Sequence, residues 1–214
     1  GSSGGGSGSS GGGSSVIRVP APSNSAVNDN VYFKTSFKDI SGHWAEKEIK
    51  QLEALGLVKG DGEKYNPDAI VKRAEWITML TRAIGFKEAP YKDCFDDVKS
   101  SDWYSGIIQA AFDADLIDGD GSNFNPVNEL TREALVKMMI DTYLYKKGVE
   151  IPDVTNTGFD DDSDISTWAK KYVSMASELG IMTGVTPTTF APKKIATRAE
   201  AAVVLVRLLD ALKN

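Results

Sequence analysis

FDDVKSSDWYSGIIQAAFDADLIDGDGSNFNPVNELTREA, residues 95–134, decides the fold, because its landmarks recur in the same order on either side of it. It opens on Phe95-Asp96-Asp97, meets Trp103 where a helical pattern begins, breaks at Gly119-Asp120-Gly121, and passes Phe124-Asn125-Pro126 to reach Arg132. Upstream stand Phe37-Lys38-Asp39, Trp44, Gly60-Asp61-Gly62, Tyr65-Asn66-Pro67 and Arg73. Downstream stand Phe159-Asp160-Asp161, Trp168, Gly184, Phe190-Ala191-Pro192 and Arg198. Each Arg follows its Trp by 29, 29 and 30 residues and its Pro by six. Spacing kept across three copies marks an internal repeat, which has to be found before any other fold reasoning.

Each unit reads as helix, glycine turn, loop, helix. In the first, Ala45, Ile49, Leu52 and Leu55 keep helical spacing after Ser41 as N-cap, and Gly56 and Gly60 end the pattern. Trp103, Ile107, Ala111 and Ala114 do the same in the second unit, and Trp168, Tyr172, Ala176 and Leu179 in the third. Second helices are predicted over 75–84, 134–145 and 199–212, the last apolar on almost every side. The fold class is therefore all-α, with helix-loop-helix repeats over 37–94, 95–158 and 159–214. A single unit of about 60 residues buries too little apolar surface to stand alone, so the three must pack together. A linear solenoid and a closed threefold arrangement both achieve this.

The flanks and the composition narrow the function. Residues 1–15 contain only Gly and Ser, hold 8 of the chain's 20 glycines, and read as a flexible linker or cloning remnant. Residues 16–36, with Pro20 and Pro22, read as a loosely ordered lead. The 214 residues carry 24 Lys plus Arg against 30 Asp plus Glu, a net charge of -6, which argues against a nucleic-acid binder working through a broad basic face. One cysteine, Cys94, makes neither an internal disulfide nor a cysteine zinc site. The longest apolar run, Ala201 to Val206, is far short of the roughly 18 residues of a spanning helix, so membrane insertion is not expected.

The recurring Arg carries the functional question. Thr197-Arg198-Ala199-Glu200 is a capping box, Lys72-Arg73-Ala74-Glu75 keeps only its Glu, and Thr131-Arg132-Glu133-Ala134 moves the acid one place. Arg in a first helical turn faces the positive end of the macrodipole, at a cost of roughly 0.3–1 kcal/mol when exposed. A bound anion would offset that, with free N–H groups, dipole and guanidinium converging on a carboxylate or phosphate. So would an ion pair to Asp39, Asp97 or Asp161 of another unit. Trp44, Trp103 and Trp168 have two readings as well, core residues of amphipathic helices or flat platforms for a sugar ring. The turns at Gly60, Gly62, Gly119, Gly121 and Gly184 would let a ligand come close to the backbone.

Taken together, the Phe-x-Asp, Trp, Gly-x-Gly, aromatic-x-Pro and Thr-Arg-Ala-Glu-like landmarks resemble a tandem of S-layer homology domains over about residues 37–214. The resemblance implies a pseudo-threefold arrangement with a central three-helix bundle and grooves between neighbouring repeats. It also implies an extracellular module that anchors a fused or upstream cargo protein to the anionic, amino-sugar-containing secondary polysaccharide of the cell wall, often pyruvylated. The family's motif Arg falls on Arg73, Arg132 and Arg198, and its aromatic and glycine positions on the Trp and Gly residues named above. Lys72 in place of the motif Thr and the Glu133-Ala134 inversion are departures from the pattern.

Rival readings are weaker. Asp118, Asp120, Ser122 and Glu129 fall at calcium-loop positions 1, 3, 5 and 12, but Asn123 stands where Gly is needed and Pro126 intrudes. His43 is the only imidazole, and no carboxylate pair stands out, so neither an enzyme nor a cofactor is expected. A helical protein-binding adaptor fits the repeats but not the three Arg. By unit, residues 1–36 carry +1, 37–94 carry 0, 95–158 carry -7 and 159–214 carry 0. Acidity confined to the middle repeat, with Glu133 beside Arg132, predicts unequal grooves, the weakest being the one that depends on Arg132.

Overall fold

A computed structural model describes residues 33–213; the predicted linker 1–15 and most of the lead 16–36 lie outside the described residues. Of the lead, Thr35 and Ser36 are tied down, both hydroxyls and the Ser36 amide donating to the Glu53 carboxylate. Among the described residues there are six α-helices, two per repeat: α1 Glu46–Ala54 and α2 Arg73–Ala83, α3 Ser105–Asp113 and α4 Arg132–Lys147, α5 Lys170–Glu178 and α6 Arg198–Lys213. No extended strand accompanies them, only isolated bridges.

The long second helices make the core. α2, α4 and α6 each touch the other two, and the short first helices lie outside, α3 on α2, α5 on α4 and α1 on α6. Each repeat thus lends its first helix to the repeat before it, and the last such contact closes from repeat 1 onto repeat 3. Repeat 1 and repeat 3 are thus in direct contact, which a linear solenoid would keep apart. One contiguous apolar cluster draws on all three repeats, which is how units too small to fold singly share a core. Trp76 lies fully buried in it and donates its indole N–H to Leu135 O, 3.1 Å, across the α2–α4 contact.

Closure is also written in the backbone. The first two N–H groups of α2, on Arg73 and Ala74, donate to Asn128 O and Pro126 O of repeat 2. Those of α4, on Arg132 and Glu133, donate to Lys194 O and Pro192 O of repeat 3, and those of α6, on Arg198 and Ala199, to Ala69 O and Pro67 O of repeat 1. Helix amides that usually need a side-chain cap or an anion are met here by the proline loop of the next repeat. The expected convergence of free amides on a bound anion is therefore corrected: those donors are taken.

Two sequence expectations shift at the first helices. Ser41 is not the N-cap of α1; that position is Ala45, without a side-chain hydrogen bond. Each first helix begins two residues after its Trp, so Trp44, Trp103 and Trp168 precede the buried helical face. They are 63%, 60% and 46% exposed, which removes the core reading for all three.

Candidate functional site: the grooves between repeats

Each second helix begins on its Arg, and that side chain reaches into the next repeat. Arg73 lies over the Phe124 ring, its guanidinium carbon 4.7 Å from the centroid, Arg132 over Phe190 at 5.0 Å, and Arg198 over Tyr65 at 4.6 Å. Beyond the ring, each guanidinium donates to the carbonyl just before a turn glycine: Arg73 to Asp118 O, 2.8 Å; Arg132 to Thr183 O, 3.0 Å; Arg198 to Lys59 O, 2.9 Å. Stacking plus a fork of donors suits Arg and would not suit Lys.

The aspartates have a different task from the ion pairing considered above. Both oxygens of Asp97 accept backbone N–H groups, from Phe124 and Asn125 at 2.7 Å each. Asp39 does the same for Tyr65 and Asn66, and Asp161 for Phe190 and Ala191. The second residue of each pair has positive φ, 56° at Asn66, 59° at Asn125 and 59° at Ala191, a conformation that needs an outside constraint. Burial raises the Asp39 pKa, but the Tyr65 and Asn66 amides outweigh it and hold the carboxyl below its ordinary value. With both oxygens occupied, these carboxylates shape the site by holding the aromatic in place for the Arg.

The glycines also serve packing. A Cβ at Gly60 would stand 2.2 Å from Lys64 O and 2.4 Å from the Phe37 ring, and one at Gly119 would stand 2.6 Å from both Asn123 O and the Phe95 ring. At Gly184 the Thr186 and Thr189 carbonyls fill the space at 2.3 and 2.4 Å. The Phe of each Phe-x-Asp thus occupies the room next to its own turn glycine, so close backbone approach is used by the fold. Gly62 and Gly121 instead carry positive φ in open space.

At the Arg73 and Arg198 interfaces the grooves between repeats open into cavities. The larger, about 570 Å³, has Arg73 from repeat 1, the turn at Gly119 and Lys137 of α4 from repeat 2, and Trp168 and Tyr172 from repeat 3. The second, about 420 Å³, takes Arg198 from repeat 3, Lys59 and Glu75 from repeat 1, and Trp103 from repeat 2. Both place an exposed indole, a guanidinium and a turn backbone around one space, and both need all three repeats.

The three Arg differ in what surrounds them. Arg198 pairs with Glu75 at 2.6 Å, and Arg132, 6% exposed, faces Glu200 at 3.6 Å. Each of these glutamates uses its other oxygen to accept the N-cap amide of its own helix, Lys72 N at 2.8 Å and Thr197 N at 2.9 Å. At the equivalent position in repeat 2 stands Ala134, so Arg73 has no such partner. Burial pulls the pKa of Arg73 and Arg132 below the usual guanidinium value, opposed by the charges of Asp118 and Asp97 for the first and Glu200 and Asp161 for the second. Both stay cationic near neutrality.

Glu133 does not face Arg132. Its carboxylate accepts from Ser166 N and Oγ at 3.0 Å and pairs with Lys193, across the α4–repeat 3 contact. The carboxylate competing for Arg132 is Glu200, a residue with no sequence proximity to it. His43 lies between Asp68 at 3.3 Å and the Ala45 amide at 3.1 Å, within its own repeat, with its ring 5.3 Å from that of Trp44. Glu129, read above as a calcium-loop position, is paired with Lys72 at 3.2 Å.

The S-layer homology domain family matches this chain three times, over residues 36–76, 95–135 and 158–202. The chain is 39% identical over 180 residues to exoglucanase XynX of Acetivibrio thermocellus, covering 84% of this chain and 17% of that protein. It is 39% identical over 184 residues to an amylopullulanase of Thermoanaerobacterium thermosulfurigenes, covering 86% and 10%. Against the surface-layer 125 kDa protein of Lysinibacillus sphaericus it is 29% identical over 197 residues, covering 90% and 16%. The chain therefore spans less than a fifth of the length of these relatives, enzymes and surface-layer protein alike. No helix among the described residues is long and apolar enough to cross a membrane.

Proposed function

The chain belongs to the S-layer homology domain family, and from that membership as a cell-surface, wall-anchoring module we propose that it binds an anionic secondary cell-wall polysaccharide through the grooves between its repeats. The ligand class is an amino sugar carrying a carboxylate, such as a pyruvate ketal. The cargo is a protein fused to or continuous with this module, and the module itself performs no catalysis.

The observation that carries this reading is the recurring juxtaposition of a stacked guanidinium with an exposed indole across a groove of a few hundred Å³. Trp168 and Trp103 supply flat faces for the C–H groups of a pyranose. Arg73 and Arg198 supply forked donors for a carboxylate, and Arg132 holds the corresponding place at the third interface. Asp39, Asp97 and Asp161, with the turn glycines, hold the aromatic platforms on which the Arg rest.

Retention on cell-wall sacculi, measured before and after chemical removal of the secondary polymer, tests the proposal. The expected result is loss of retention with the polymer. Undiminished retention on stripped sacculi would replace the glycan with peptidoglycan or a protein receptor.

A further inference from the structure

The proposal above treats the grooves alike, but their charged groups do not. In two of the three, the carboxylate that a ligand would supply is already present in the protein: Glu75 on Arg198 and Glu200 on Arg132. A ligand entering at Arg198 must displace a charge-assisted hydrogen bond of 2.6 Å, and one entering at Arg132 meets the Glu200 carboxylate at 3.6 Å, held there by Lys194 at 2.8 Å; both glutamates also help cap a helix. The Glu133-Ala134 inversion removes that internal carboxylate from the Arg73 groove alone. Among the described residues, Arg73 Nε is the buried side-chain polar atom without a hydrogen-bond partner, and one terminal nitrogen reaches only the Met138 sulfur, 4.0 Å away. The equivalent Nε atoms donate to Phe190 O and Tyr65 O, so Arg73 is held by fewer internal hydrogen bonds than Arg132 or Arg198.

The same groove gathers further cations. Lys137 and Lys171 flank the Tyr172 ring, with Nζ 5.5 and 5.6 Å from its centroid. The equivalents of Lys137 are Thr78 and Val203, and the equivalent of Lys171 in the Arg198 groove is Gly106. The acids facing these lysines are Asp141 at 2.7 Å and Asp118 at 3.9 Å from Lys137, and Asp153 at 3.5 Å from Lys171. Asp118 and Asp153 are 88% and 96% exposed, so their pairs are weak and easily exchanged for a ligand anion. The negative charge of repeat 2 therefore does not close the groove it helps to build.

Resting on the reading of the grooves as carboxylate-sugar sites, we infer that the Arg73 groove is the binding site of this module, with Arg73 taking the sugar carboxylate and Trp168 its ring, while Glu75 and Glu200 keep the other two grooves self-occupied. The residue that sets this choice is Ala134.

The decisive variant is Ala134→Glu, which restores the internal carboxylate. It also restores a capping box with Thr131, whose hydroxyl already accepts the Ala134 N–H, so the fold is retained or strengthened. Titration calorimetry with the methyl glycoside of an N-acetylhexosamine 4,6-pyruvate ketal should give one site on the parent chain. Ala134→Glu should weaken it at least about tenfold, the effect of displacing one charge-assisted hydrogen bond, while the isosteric Ala134→Gln stays within about threefold because it brings no charge. Two or three equal sites on the parent, or equal affinity in the Ala134→Glu variant, would overturn the choice of groove while leaving the glycan reading intact. Absence of probe binding together with retention on polymer-free sacculi would overturn both.

Discussion

Replacing Asp97 with Ala separates a structural clamp from a ligand contact. The substitution removes two N–H···carboxylate hydrogen bonds of 2.7 Å, from Phe124 and Asn125, and leaves both amides to find water. Hydrogen bonds to a charged group contribute about 1.5–3 kcal/mol each; at this half-buried site the low end applies, for a total of about 2–4 kcal/mol. In a domain of this size that lowers Tm by about 5–12 °C. The loss does not stay local, because Phe124 is 1% exposed and forms the platform under Arg73. Asn125, at φ 59°, would relax toward ordinary backbone once released. Asp97→Asn keeps one acceptor and should fall between Ala and parent. Calorimetric melting of the three proteins, with sugar binding measured well below the lowest Tm, gives the comparison. A Tm within 1 °C of the parent in Asp97→Ala, combined with lost binding, would refute the clamp and return Asp97 to the list of direct ligand contacts.

Arg132→Ala and Arg73→Ala should diverge. Arg132 is buried, donates to Phe190 O and Thr183 O and faces Glu200, so its loss should cost roughly 3 kcal/mol or more, with little effect on wall binding once folded. Arg73→Ala should melt within a few degrees of the parent but lose most wall retention; equal stability losses would contradict this. At the turn of repeat 2, Gly119→Ala forces its Cβ within 2.6 Å of Asn123 O and the Phe95 ring and should destabilise by several times the roughly 1 kcal/mol expected at Gly121, where only the positive φ opposes a side chain. Thermal melts showing the two substitutions equal would remove the packing role of Gly119.

Much of the fold is legible in the residues. The constant six-residue step from Pro to Arg places the Arg at the first position of α2, α4 and α6, and the helix-loop-helix periodicity gives the class. What local reasoning misses is whatever crosses between repeats. The amides of Arg73 and Ala74 look free in their own unit, yet Asn128 and Pro126 of the next one take them. The separation of each Phe-x-Asp from its aromatic-x-Pro, 26, 27 and 29 residues from Asp to aromatic, signals a partnership without revealing that it is to the backbone. The tryptophans read as helix starters with a share in the core because the helical spacing in the sequence starts at them; the helices begin two residues later and leave them outside. The Glu133-Ala134 inversion is visible in the chain, but proximity assigns it to Arg132. Only the reach of each guanidinium into the following repeat shows that Arg73 is the one affected.

The tryptophan indole N–H resonances test the account most directly, since each reports a separate place: Trp168 in the Arg73 groove, Trp103 in the Arg198 groove, Trp44 ahead of α1, and Trp76 in the core bonded to Leu135. Titrating the pyruvylated sugar into ¹⁵N-labelled protein should shift Trp168 and leave Trp44, Trp103 and Trp76 in place. A saturating titration that moves Trp103 or Trp44 and not Trp168, or that moves no indole at all, would contradict it.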